Sequence, residues 1–120
     1  MGAGSERATF LVPEGALKLS FDPSGCSSSR NELRIWGEAP VRIRRHLVPV
    51  LEAEEDGRWL LMERVWTAGW GASIDPDVFA LLTSCGIVDL SPQNLARDGR
   101  VLDYGYLWNA QAWERCVDRG

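Results

Sequence analysis

Apolar residues gather in short runs along this chain, and the breaks between the runs predict its elements. Residues 9–12 and 16–21 read as two strands parted by the turn sequence Pro13-Glu14-Gly15. Asp22-Pro23-Ser24-Gly25 interrupts the pattern, after which Ser28, Ser29 or Asn31 can cap a helix carrying Leu33, Ile35 and Trp36. Gly37 and Pro40 bound its far end. The apolar runs 48–54 and 58–63 flank Asp56-Gly57, a strong hairpin signal. Residues 66–73, "WTAGWGAS", predict a Gly- and Trp-rich loop. Asp75-Pro76 is an N-cap followed by an N1 proline, opening a helix through Phe79, Leu81 and Leu82 that Gly86 can end. Asn109 can cap a final helix bearing Ala112, Trp113 and Cys116. Strands, helix, strands, helix, hairpin and helix in this order make an α+β pattern.

Composition narrows the function classes. The chain has 120 residues, 45% of them hydrophobic and 25% charged, which fits one ordinary globular domain. A net charge of −4 argues against broad electrostatic binding to nucleic acid. The basic run Val41-Arg42-Ile43-Arg44-Arg45-His46 reads as a solvated face. No apolar run is long enough to cross a bilayer, and the first residues lack the apolar centre of a signal peptide. Glu6 stands where a myristoylation pattern wants Ser or Thr. The three cysteines, Cys26, Cys85 and Cys116, are odd in number and form no C-x-x-C pair, so free thiols in a reducing cytoplasm are expected. His46 is the single histidine, which excludes a multi-histidine zinc site and suggests a structural role. Of the six tryptophans, Trp36 and Trp59 are expected in the core. Trp66, Trp70, Trp108 and Trp113 are candidates for an exposed cluster, and so for a homo-oligomer interface.

The candidate chemistry lies in "VDLSPQNLARDGRVLDYGY", residues 88–106. Asp98-Gly99 is a preferred two-residue hairpin turn, and counting outward from it pairs Asn94 with Asp103. An amide oxygen beside a carboxylate suits a hard cation such as Mg²⁺. Asp89 lies a short loop away and can point at the same place. The plainer alternative makes Asp89 a turn cap, with Asn94 and Asp103 as strand ends. Lys18 is the only lysine against twelve arginines, which is even-handed evidence for a chemical role or for chance.

Asp89-Leu90-Ser91-Pro92-Gln93-Asn94 resembles the catalytic loop of protein kinases, and Asp103-Tyr104-Gly105 resembles their D-F-G motif. The kinase-like phosphotransferases that modify aminoglycosides share this arrangement. Upstream, "GALKL" around Lys18 resembles the strand that carries the kinase lysine, and Glu32 in "NELRIW" resembles its helical partner. "LLME" resembles the segment entering the hinge. The resemblance covers roughly residues 16–106 and implies an abridged protein kinase-like fold. A small antiparallel sheet with one helix would occupy about residues 1–65, and a reduced helical lobe with the catalytic-loop hairpin residues 66–120.

The resemblance also implies ATP and Mg²⁺ as cofactors. Lys18 would meet the α- and β-phosphates, oriented by Glu32, and Asn94 and Asp103 would hold the metal. Asp89 would accept the proton of an incoming hydroxyl, and the backbone of Glu63, Arg64 and Val65 would face adenine. The sequence departs from the family in four places. No Gly-rich loop precedes Lys18, and Ile87-Val88 replaces the residues before the catalytic Asp. The hairpin is short, and little follows Tyr106. A minimal cytoplasmic phosphotransferase of bacterial or phage type is therefore expected, with an unidentified hydroxyl substrate. A non-catalytic nucleotide-binding or protein-interaction module is the second reading, and an unrelated α+β protein the third.

Overall fold

A computed structural model describes residues 7–67, 73–88 and 90–118. Asp89 and Trp70 lie outside the described residues. Four strands and four helices are present among those described: β1 (Arg7–Val12), β2 (Gly15–Ser20), α1 (Pro23–Glu38), α2 (Val41–Arg44), β3 (Val50–Ala53), β4 (Trp59–Met62), α3 (Pro76–Ser84) and α4 (Ala110–Asp118). The strands form one antiparallel sheet in the order β1-β2-β4-β3. This is the α+β architecture that the apolar runs predict.

Register decides what each sheet face carries. Thr9, Lys18 and Leu60 stand opposite one another across three strands, as do Leu11, Ala16 and Met62. Side chains alternate along a strand, so these residues share one face with Arg7. Lys18 on that face reaches Glu32 of α1. The opposite face carries Phe10, Leu17 and Leu61 in one row and Ala8, Leu19 and Trp59 in the next. Phe10 is 48% and Leu19 36% exposed there, while Ala8 is buried, so this apolar face is partly open.

α1 begins earlier than the capping residues of its middle suggest. Asp22 is the N-cap, accepting a hydrogen bond from the Gly25 amide, and Pro23 fills the first turn. The apparent break at residues 22–25 is thus a helix start: proline lacks only an N–H that the first turn leaves unused anyway. Ser28, Ser29 and Glu32 then lie on the buried face of α1. The basic run folds into the short helix α2, which turns Ile43 fully inward and leaves Arg42 and Arg44 half-buried, Arg44 lying over the Trp36 ring, so the run is not simply a solvated face. Asp75 caps α3 through Asp77 and Val78 amides, and Asn109 caps α4 through Gln111 and Ala112 amides, both as predicted.

The core joins the sheet to the segments below it. Ile35, Ile43, Leu47, Leu60, Leu82, Ile87, Leu95, Val101 and Trp113 are all buried in one cluster. Trp113 is enclosed and donates its indole N–H to Glu38, so it is no part of an exposed group. Trp36 and Trp59 are half-buried, while Trp66 and Trp108 are exposed. Cys85 and Cys116 are joined in a disulfide between the C-terminus of α3 and α4. That corrects the expectation of three free thiols: folding brings together two cysteines 31 residues apart, a pairing no local spacing signals. Cys26 is free.

Candidate functional site

The Lys18 ammonium donates to both carboxylate oxygens of Glu32, at 3.0 Å each, and to the Leu102 carbonyl at 3.2 Å. Its three donors are thereby all engaged. Glu32 is completely buried, and a buried carboxylate needs several donors to stay charged. It receives them from Lys18, from the Tyr104 amide at 3.2 Å and from the Arg7 guanidinium. Arg7 also donates to Asp103 Oδ1 at 2.9 Å and to the Ser29 hydroxyl at 3.1 Å. Burial opposes the charge on Arg7, but Glu32 and Asp103 outweigh it and hold the guanidinium above its ordinary pKa. Two cations and two carboxylates, from β1, β2, α1 and the Asp103 segment, form one network.

Asp103-Tyr104-Gly105 is fixed to α1 by packing as well as charge. The Tyr104 ring is buried and its hydroxyl donates to the Val48 carbonyl at 2.8 Å. A Cβ on Gly105 would lie 2.5 Å from the Ser28 carbonyl oxygen, so only glycine lets the chain pass this close to the helix.

The hairpin feeding Asp103 differs from the counted register by one residue. Leu95 bridges Val101, the Ala96 amide donates to Arg100 O at 2.8 Å, and the Leu102 amide donates to Asn94 O at 2.8 Å. The loop is therefore the three residues Arg97-Asp98-Gly99, with Gly99 at φ +90°. Asp98 accepts from the Arg100 amide at 3.1 Å and stabilises this wider turn. Asn94 faces Leu102 rather than Asp103. A further constraint overrode the two-residue turn: the Val101 amide donates to His46 O and its carbonyl accepts from Val48, fixing the returning strand against the segment after α2.

Asn94 and Asp103 nonetheless border one cavity of about 240 Å³. Thr9, Leu11, Ala16 and Lys18 line it from β1 and β2; Val48, Met62, Glu63, Val65 and Thr67 from the middle of the chain; and Gln93, Asn94, Leu102 and Asp103 from the hairpin. Ala16, Val48, Met62 and Leu102 give it apolar lining, and Lys18 and Asp103 polar lining. Glu63 and Val65 reach it, whereas Arg64 is not in its lining and borders a neighbouring hollow with Trp66 and Arg97. The Glu63 amide is already bonded to the Pro49 carbonyl. His46 lies outside this cavity; burial, then the neighbouring Arg45, hold its pKa below the ordinary value.

Sequence reasoning located Lys18, Glu32, Asn94 and Asp103, and the fold brings all of them to one place. It missed Arg7, an arginine among twelve with no motif around it. Its inward register, two residues from Thr9 and opposite Ser20, appears only once β1 pairs with β2. No group of three or more His, Cys, Asp or Glu side chains able to hold a metal is found among the described residues. Compared with known proteins, the chain matches no family model, no curated protein and no solved structure.

Proposed function

We propose that this chain binds a nucleotide in the cavity beside Lys18 and acts as a minimal kinase-like phosphotransferase, moving the γ-phosphoryl group of ATP to a hydroxyl. The observation that carries the reading is the Lys18–Glu32 ion pair meeting Asn94 and Asp103 at one cavity, from segments far apart in sequence. The order of elements supports it too: a strand with the lysine, a helix with the glutamate, then a hairpin leading into Glu63-Arg64-Val65. The apolar part of the cavity suits a flat base. Its volume falls below the roughly 300–1,000 Å³ of sites that enclose a whole drug-sized ligand, so the phosphates would lie toward the polar end.

In this reading Lys18 holds the α- and β-phosphates by giving up its bond to the Leu102 carbonyl, while Glu32 keeps the ammonium in place. Asn94 and Asp103 offer the hard oxygen donors that Mg²⁺ takes, which fits the cofactor. Bound there, the ion would neutralise charge on the phosphates. Asp89 would accept the proton of the attacking hydroxyl.

Titration calorimetry with MgATP tests binding; no heat at millimolar nucleotide, or unchanged binding in Lys18→Ala and Asp103→Ala, sinks the reading. One observation favours a non-catalytic module instead: Asp103 is already paired with Arg7. ATP turnover lost in Asp89→Asn would decide for the enzyme, and nucleotide binding without turnover for the module.

A further inference from the structure

Arg7 stands where a cation at Asp103 would compete with it. Its guanidinium forks between the buried Glu32 and the partly exposed Asp103, and its side chain is only 9% exposed. Arg7, Lys18, Glu32 and Asp103 together carry no net charge at neutral pH. A divalent cation arriving alone would therefore meet a carboxylate whose field Arg7 has cancelled, and would leave an excess of positive charge in a poorly hydrated place. A polyphosphate arriving with it would reverse that balance. It offers the guanidinium a bidentate anion, which suits the planar fork, and releases Asp103. Asp103 is only one of the three partners of Arg7, so the fork can leave it while Glu32 and Ser29 still hold the guanidinium.

We propose that Arg7 is a built-in competitor of the divalent cation at Asp103, which keeps the ion out of the free protein and couples its entry to binding of a phosphate-bearing ligand. The inference rests on Asp103 and Asn94 being the cation ligands of the proposed site. Coupling of this kind is reciprocal: whatever phosphate does for the cation, the cation does for phosphate.

The test is Mn²⁺ binding, read from the electron paramagnetic resonance signal of the free ion, with no nucleotide present. Arg7→Gln should bind Mn²⁺ tighter than the unaltered chain by about tenfold or more, the weight of a hydrogen bond between charged groups. Asp103→Asn added to Arg7→Gln should cancel the gain. Arg7→Lys keeps the charge but lacks the planar fork of the guanidinium, so it should show a smaller gain, and it decides the matter if Arg7→Gln does not fold. Equal Mn²⁺ affinity with and without Arg7 overturns the proposal, as does a gain that survives loss of Asp103, or no binding by any variant. Titration with MgATP is read separately. A gain in Mn²⁺ affinity without nucleotide binding leaves the competitor standing and removes the phosphotransferase.

Discussion

Glu32 is the residue on which the network turns. It is fully buried and accepts from Arg7, Lys18 and the Tyr104 amide, so Glu32→Gln leaves two enclosed cations without their common carboxylate, Arg7 keeping Asp103 and Lys18 the Leu102 carbonyl. Breaking a buried pair by removing one partner costs about 3–5 kcal/mol, and urea unfolding should show a loss of that order. Asp103→Asn removes a carboxylate that is 32% exposed and should cost much less. Tyr104 gives a pH signature. Burial, then the nearby Glu32 carboxylate, raises its pKa far above that of a free tyrosine. The fold thus holds the phenol proton more tightly than the unfolded chain does. The stability this contributes is complete below the unfolded pKa of about 10 and is lost as pH climbs above it. Urea midpoints measured between pH 9 and 11 should fall more steeply for the unaltered chain than for Tyr104→Phe. That variant should be weaker by about 1–3 kcal/mol at neutral pH, because the Val48 carbonyl loses its donor.

Among the elements, α4 depends most on a single link. It is nine residues long, too short to hold as an isolated helix, and anchors through Ala112, Trp113 and the Cys85–Cys116 disulfide. Closing a loop of 31 residues stabilises by about 3–4 kcal/mol on the chain-entropy account. Reduction, or Cys85→Ser with Cys116→Ser, should lower the thermal midpoint by roughly 15 °C. Cys26→Ser should leave it nearly unmoved. A reductant that changes nothing would show that packing of Trp113 alone suffices to seat α4.

For the whole molecule, the radius of gyration is 13.4 Å, close to the roughly 13.6 Å of a compact chain of this length. No helix among the described residues is long and apolar enough to cross a membrane. Compactness is reached with one sheet face covered by α1 and the other left apolar, where Phe10, Leu17 and Leu61 form a row across three strands. A dye that fluoresces in apolar surroundings should bind the native protein there. Phe10→Lys should reduce that signal with little change in unfolding midpoint, since Phe10 is 48% exposed already.

Local chemistry settled much of this molecule in advance. The caps at Asp75 and Asn109, the turn around Asp56-Gly57 and the strand with Lys18 could all be read from neighbouring residues. Such signals act within a few positions of the chain. Lys18, Glu32, Asn94 and Asp103 were singled out by their spacing along the sequence, and folding brings them together around one cavity. Three things were not legible. Arg7 joined the network because strand register aims it at α1. The hairpin at residues 97–99 widened because Val101 is held from outside by His46 and Val48. Cys85 met Cys116 because α4 packs where α3 ends. Each depends on a contact between segments distant in sequence, where burial and charge outweigh local preference, and those contacts exist only once the chain has folded.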